Sequence, residues 1–125
     1  MLAESSVFAV LPAADLQRAR TFYRDKLGLE VTEETGGGLL YRLQGGTSFL
    51  LYETGNAGSA KNTAMCWLTE DLDAEMAELR GRGVDFEDYD FPGLQTQNGV
   101  ATIGQEKSAW FVDSEGNILC VSQNG

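Results

Sequence analysis

The hydrophobic positions of the chain follow two different spacings, and the first stretch shows both. Residues 7–11 (VFAVL) form an apolar run of strand length, which Pro12 ends. Asp15 can cap a helix, because its carboxylate can accept a hydrogen bond from an early backbone N–H. Apolar residues then recur at helical spacing as far as Leu27, and Gly28 suits the left-handed position that closes a helix. The pattern predicts a strand followed by an amphipathic helix.

The chain continues with strands and then starts the same pattern again. A strand beginning at 29–32 and a hairpin complete the first half, and a Gly/Ala/Ser/Asn-rich linker follows. The second half opens with another strand and a helix that begins at Asp71 or Asp73. The predicted strands of the hairpin and of the second half are 39–43, 48–53, 63–68, 84–89, 99–103, 109–112 and 117–122.

This internal repeat sets the predicted architecture. The Asp-Leu pair at 15–16 recurs at 71–72, and the closing Gly28 recurs as Gly83. Each half reads as strand, helix and three strands, so we predict one α+β domain made of two βαβββ modules. The predicted bounds are 1–125 for the domain, about 5–55 for module one, 56–62 for the linker and about 63–124 for module two.

A half of this size cannot bury both faces of its sheet alone. We therefore expect the two modules to lie side by side in one curved mixed sheet, with the helices outside and a concave cup inside. A concave surface of this kind is where a small ligand binds. The second half also contains an insertion around 88–105, which has no counterpart in the first.

Composition and charge narrow the expected partners. The formal net charge is −10, and such a surface repels nucleic-acid phosphates. The longest uncharged stretches are far short of a membrane span, and the N-terminal residues lack the pattern of a secretory signal. The two cysteines are too few for a disulfide framework. We expect a cytoplasmic protein with neither a nucleic-acid nor a membrane partner.

Two segments carry a resemblance to a known family. They are DLQRARTFYRDKLGL at 15–29 and AWFVDSEGNIL at 109–119, and with the repeat they cover nearly the whole chain. The chain resembles the vicinal oxygen chelate superfamily, which includes glyoxalase I, bleomycin-resistance proteins and extradiol dioxygenases. The superfamily hosts unrelated chemistries on one scaffold, so the resemblance is specific for the fold and weak for the activity.

The resemblance also implies where a metal would bind. Enzymes of this family hold a divalent ion in the cup with His, Gln or Glu side chains at equivalent strand positions of both halves. Those positions here are Phe8, Leu50, Ala64 and Cys120. Three of them have no donor atom, the chain contains no histidine, and one thiolate does not hold an ion that prefers oxygen and nitrogen ligands. We therefore expect no metal site of the family type and no cofactor.

Strand alternation extends the predicted cup beyond those four positions. Tyr52 and Cys66 lie two residues after Leu50 and Ala64 and so share their face. Tyr41 and Trp110 are predicted as walls, although core packing is the alternative for any one aromatic residue. The predicted ligand-binding cup comprises Phe8, Tyr41, Leu50, Tyr52, Ala64, Cys66, Trp110 and Cys120, with Phe91 and Pro92 of the insertion as a rim or lid.

The two cysteines allow two interpretations. If Cys66 and Cys120 both face the cup, they could bind a soft metal or oxidise to a disulfide. The sequence favours the simpler interpretation of two small buried hydrophobic residues, because neither has a basic neighbour that would activate it. The turn between Asp113 and Gly116 is predicted to be a structural hairpin.

The function predicted from these observations is small-molecule binding without a metal. The resemblance points to members that sequester an antibiotic, and aromatic walls in an acidic protein suit a cationic or aromatic compound. The alternative is a lyase, isomerase or dioxygenase-like enzyme that uses protein groups such as Cys120, or a metal site not recognised here. No catalytic residue is assigned. The resemblance further implies a homodimer with the cup at or near its interface.

Overall fold

Two helices and ten strands follow one another in an order that repeats. The structure is a computed structural model and describes all residues from 1 to 125. After a short 3-10 turn (Leu2–Glu4), module one contains β1 (Ala9–Ala13), α1 (Leu16–Leu27), β2 (Glu33–Thr35), β3 (Gly38–Arg42) and β4 (Ser48–Glu53). Module two contains β5 (Thr63–Leu68), α2 (Leu72–Gly81), β6 (Asp90–Phe91), β7 (Leu94–Gln95), β8 (Val100–Ile103), β9 (Glu106–Val112) and β10 (Ile118–Gln123).

Both helices begin at aspartates that the sequence marks, and α1 also ends at its marked glycine, whereas the C-cap of α2 is Arg82, one residue before the predicted Gly83. The Asp15 carboxylate accepts hydrogen bonds from the backbone N–H groups of Gln17 and Arg18, at 3.0 and 3.1 Å, and so caps α1. Gly28 closes α1 in the left-handed conformation, with φ of 70°. Asp71, the first of the two predicted candidates, caps α2. Neither helix is long and apolar enough to cross a membrane.

The strands have the same topology in both modules. The first sheet has the order β1-β4-β3-β2 and the second has the order β5-β10-β9-β8. In each, the first strand of the module runs parallel to the last, and the other pairs are antiparallel. The predicted α+β class and the two βαβββ modules are confirmed, with the predicted curved sheet divided into one four-stranded mixed sheet per module.

Two predicted strands differ from the observed elements. The strand expected at 29–32 begins only at Glu33. The stretch 84–89 is not a strand and contributes a single bridge between Phe86 and Phe111. The insertion that follows forms the short hairpin of β6 and β7, which belongs to neither large sheet.

One hydrophobic core is shared by the two modules. It contains residues from both helices and from both sheets, and the rings of Phe49 and Trp67 meet across the modules with centroids 6.3 Å apart. In β4 the buried residues Phe49 and Leu51 alternate with less buried ones, so one face of the sheet packs into this core. The opposite face of each sheet therefore points away from the core, and we call these two surfaces the cup faces.

A buried polar turn joins the modules beside this core. The turn, residues 113–117, lies between β9 and β10, and we call it the junction turn. Its Glu115 side chain accepts hydrogen bonds from the backbone N–H groups of Ala14 and Asp15, both at 2.9 Å, and from Arg18 at 2.8 and 3.0 Å. The N-terminus of α1 is thus attached to module two by a carboxylate that is itself only 5% exposed.

The other polar residues of the junction turn also reach module one. Asp113 accepts a 2.6 Å hydrogen bond from the hydroxyl of Tyr23, and Asn117 donates to the carbonyl of Pro12 at 2.9 Å. Gly116, with φ of 88°, approaches the linker so closely that a Cβ atom there would lie 2.7 Å from the Cα of Gly58. The predicted structural hairpin therefore holds the two modules together.

The charge of Glu115 is predicted to contribute pH-dependent stability. Burial alone would raise the pKa of Glu115, but hydrogen bonds from Arg18, Ser114 and the Asp15 backbone lower it to about 2 from its usual 4.5. Because the folded pKa is depressed, the stabilisation is present above pH 4.5 and is lost as the pH falls towards 2. We expect Glu115→Gln to lower the free energy of unfolding at pH 7 by about 3 kcal/mol in urea titrations.

The control is Glu106→Gln, which neutralises an exposed carboxylate and should change the unfolding free energy little. The difference in unfolding free energy between wild type and Glu115→Gln should shrink as the pH is lowered from 4.5 towards 2. A difference that stays constant down to pH 2 would contradict this account.

Candidate functional site

The cup face of the first sheet is apolar and open. The parallel register pairs Val10 with Leu50 and Pro12 with Tyr52, so these side chains share one face. Tyr52 is 37% exposed and Leu50 is half-buried. Phe8, just before β1, is 51% exposed. Three predicted cup residues, Phe8, Leu50 and Tyr52, therefore lie at or beside this face with no covering layer in the chain.

The cup face of the second sheet carries a row of three predicted residues. Cys120 of β10 is the direct partner of Cys66 on one side and of Trp110 on the other. The indole N–H of Trp110 donates to the Thr63 hydroxyl at 3.1 Å, which fixes the ring over the edge of β5. Ala64 lies exposed on β5. The structure thus brings Cys66, Trp110 and Cys120 together.

Tyr41 is the exception among the predicted walls, and its placement corrects the sequence analysis. It is 1% exposed and lies in the core, stacked on Phe49 with ring centroids 4.7 Å apart. Burial raises the pKa of Tyr41 to about 12, and its buried hydroxyl has no hydrogen-bond partner. The reason is register, because Leu40 and not Tyr41 pairs with Leu50 and so shares its face.

Aromatic contacts connect the inserted hairpin to the cup. The ring of Tyr89 meets Trp110 edge-on with centroids 5.7 Å apart, and it packs on Phe91 at 5.8 Å. Phe91 and Pro92, the predicted rim or lid, are exposed at the hairpin. Tyr89 links the predicted lid to the predicted wall and was missed, because its position depends on how the insertion folds back.

Hydrogen bonds hold that insertion in place. The Asp88 carboxylate accepts from the Thr96 hydroxyl and the Gly99 backbone N–H, both at 2.8 Å, and these bonds lower the pKa of Asp88. The Tyr89 N–H donates to the Thr96 hydroxyl at 2.7 Å. The base of the hairpin is therefore closed, and Tyr89 is presented to Trp110 from a fixed backbone.

An apolar groove runs between the two modules at the edges of β1 and β5. Its volume is about 820 Å³, and ten of its thirteen lining residues are hydrophobic. Of the predicted site residues it contains Phe8 and Cys66, whereas Leu50, Tyr52, Ala64, Trp110 and Cys120 lie outside it. The groove residues that sequence reasoning missed include Leu29, Leu43, Met65, Trp67 and Leu68. Only the packing of one module on the other brings these residues together.

The family-type metal site does not fit the residues at its four expected positions. Phe8, Leu50 and Ala64 offer no lone pair, and only Cys120 has a donor atom. The structure contains no group of three or more His, Cys, Asp or Glu side chains that could hold an ion.

The two thiols have different environments. Cys120 is 4% exposed, and burial raises its pKa to about 11. Cys66 is exposed, so the expectation that both are buried is wrong for Cys66. Both sulfur atoms lie within hydrogen-bonding distance of the Ser122 hydroxyl oxygen, at 3.2 Å from Cys66 and 3.3 Å from Cys120. The Ser122 hydroxyl is in turn 2.7 Å from that of Ser108.

Comparison with protein families gives one clear match. The model described as Glyoxalase/Bleomycin resistance protein/Dioxygenase superfamily matches residues 6–121. No curated protein sequence matches the chain significantly.

Solved structures of the same fold span the full length of the chain. One is a glyoxalase/bleomycin resistance protein from Catenulispora acidiphila, with 22% identity, a TM-score of 0.72 and coverage of 96% of this chain and 98% of that one. A second is TnmS3, an antibiotic binding protein from Streptomyces sp. CB03234, with 23% identity, a TM-score of 0.68 and 98% coverage of both chains. A third is lactoylglutathione lyase from Agrobacterium tumefaciens, with 18% identity, a TM-score of 0.69 and coverage of 96% and 93%.

The contrast between the thiols predicts two rates of modification. In native protein at pH 8 we expect iodoacetamide to alkylate Cys66 readily and Cys120 far more slowly, because only Cys66 is exposed and the Cys120 thiol is protonated. Mass spectrometry over time should show one fast equivalent of adduct, which Cys66→Ser removes. Denatured protein is the control and should give two fast equivalents. Fast modification of both thiols in native protein would contradict the prediction.

Proposed function

The chain belongs to the glyoxalase/bleomycin resistance protein/dioxygenase superfamily, and we propose that it is a metal-free small-molecule-binding protein that sequesters a cationic or aromatic compound. The observation that carries the proposal is the aromatic wall of Trp110, Tyr89 and Phe91 beside an open strand face that lacks ligands for a hard ion. Such a surface can bind a flat molecule by burial and stacking.

Charge supports a cationic ligand over an anionic one. The chain carries a formal net charge of −10, so a cation is attracted towards the surface before contact. A cation bound over the face of Trp110 would also gain about 0.5–2 kcal/mol of binding free energy from its attraction to the ring quadrupole. The same acidic charge supports our proposal that the protein has no nucleic-acid partner. We further propose that it is cytoplasmic and has no membrane partner.

Similarity to TnmS3 is consistent with this proposal, since that protein is described as antibiotic-binding and shares the fold. The catalytic alternative has less support. Burial raises the pKa of Cys120 to about 11, so the group that would replace a metal is a neutral thiol at pH 7 and a poor nucleophile. We therefore favour binding over turnover.

We further propose that the protein acts as a homodimer. Large apolar side chains remain exposed on the cup faces of the single chain: Phe8, Val10, Tyr52, Leu68 and Val112. A second copy that covers these faces would remove them from water and complete a cup from two half-surfaces. The ligand would then lie between apolar faces contributed by both copies.

Ligand binding is predicted to depend on Trp110. We expect proflavine, a planar cation, to bind wild type in calorimetric titrations more tightly than 2-naphthalenesulfonate, a planar anion. Trp110→Ala should weaken proflavine binding about tenfold or more, because it removes stacking and cation–π contacts. Bleomycin tests the antibiotic class in the same titration.

The matched control is Phe22→Leu, which removes an aromatic ring from α1, outside the cup faces. It should leave the affinity for proflavine unchanged. If wild type binds neither proflavine nor bleomycin, or if Trp110→Ala binds as tightly as wild type, the proposed function is wrong.

The homodimer makes a separate prediction. Sedimentation equilibrium of wild type should give twice the mass of one chain, and Val10→Glu should shift the protein to the monomer by placing a charge on the proposed interface. Ala77→Glu adds the same charge to the exposed surface of α2 and should leave the dimer intact. A wild type that is monomeric at high micromolar concentration would contradict the proposal.

A further inference from the structure

The parallel pairing of β5 with β10 places two thiols side by side on one cup face. Cys66 and Cys120 are direct register partners, and their side chains lie on the same side of the second sheet. Both sulfur atoms are within hydrogen-bonding distance of one oxygen, the Ser122 hydroxyl. The two cysteines, far apart in sequence, therefore form a single dithiol pair.

The separation of neighbouring strands is close to the distance between two sulfur atoms that bind one metal ion from opposite sides. Neighbouring strands lie about 4.7–4.9 Å apart, which sets the separation of side chains that project in parallel from paired positions. A metal–thiolate bond is about 2.3 Å long, as in zinc sites, so two such bonds in line span about the same distance. An ion between the two sulfurs would need little movement of either strand.

The donor set selects the kind of ion. No third His, Cys, Asp or Glu joins the pair, so a zinc ion would lack the four ligands of its usual structural site. Thiolates are soft ligands that favour Cu(I), an ion that accepts few ligands. The Ser122 hydroxyl lies where it can donate a hydrogen bond to a bound sulfur, and the Ser108 hydroxyl is 2.7 Å from it.

We propose that Cys66 and Cys120 form a site for one Cu(I) ion per chain. Two sulfur–hydrogen bonds are broken, two copper–sulfur bonds form and two protons are released to solvent, with no change of oxidation state. Cys66 is exposed in the single chain, and in the proposed homodimer the ion would enter through the cup, as the ligand does. This site is separate from the proposed function, in which the small molecule is bound without the help of a metal, and it does not rest on that function.

The test is an anaerobic competition with the coloured bicinchoninate complex of Cu(I), using reduced full-length protein. Wild type is expected to withdraw one Cu(I) per chain, read as loss of the complex's absorbance. Cys66→Ser should weaken Cu(I) binding at least tenfold, because it removes one of two ligands. Cys66 is exposed, so this variant is expected to fold, which its circular dichroism checks.

The matched control is Met65→Leu, which removes the sulfur of a neighbouring residue that packs against the core instead of the cup face. It should withdraw the same amount of Cu(I) as wild type. The proposal is overturned if wild type withdraws none, or if Cys66→Ser loses less than tenfold in affinity. Proflavine titrations of metal-free wild type and Trp110→Ala test the proposed function without copper, so failure here and failure of the proposed function are distinguishable.

Discussion

The buried carboxylate of Glu115 is the interaction on which the arrangement of the two modules depends. It accepts hydrogen bonds from Arg18 and from two backbone N–H groups at the start of α1, and it is almost inaccessible to water. A buried carboxylate is tolerated only when its lone pairs are satisfied, so the groups of module one must be in place when the chain folds. Asp113 and Asn117 add contacts to Tyr23 and Pro12 from the same turn. The geometry of one short turn thus positions one module on the other.

That attachment decides which sheet faces remain free. Because the junction turn holds α1 against module two, both helices and the core-facing sides of both sheets pack into one core. The cup faces have no layer of their own chain to cover them, although large apolar residues such as Phe8 and Tyr52 lie on or beside them. The surfaces available for a ligand or a second copy are therefore a consequence of how the core is closed.

The sequence predicted most of the fold because local chemistry determines its elements. Asp15, Asp71 and Gly28 mark helix ends that the structure keeps, and the repeat gave the same topology for both sheets. The prediction from the sequence is wrong at Tyr41, which was expected to form a wall of the cup together with Trp110. Trp110 pairs with Cys120, and the equivalent partner of Leu50 is Leu40, so an error of one residue placed Tyr41 on the opposite face. Periodicity cannot detect such a slip when both neighbouring residues are apolar.

The remaining parts of the site arise from contacts between distant segments. Tyr89 reaches Trp110 only because Asp88 and Thr96 close the base of an inserted hairpin, and no spacing rule predicts that fold-back. The dithiol pair likewise follows from the parallel register of β5 and β10, which the sequence left open. Where the family's metal-binding enzymes place hard ligands, this chain has a phenyl ring, two aliphatic side chains and a thiol. The same scaffold is therefore suited to apolar, aromatic and sulfur-based recognition, which needs no hard ion to organise it.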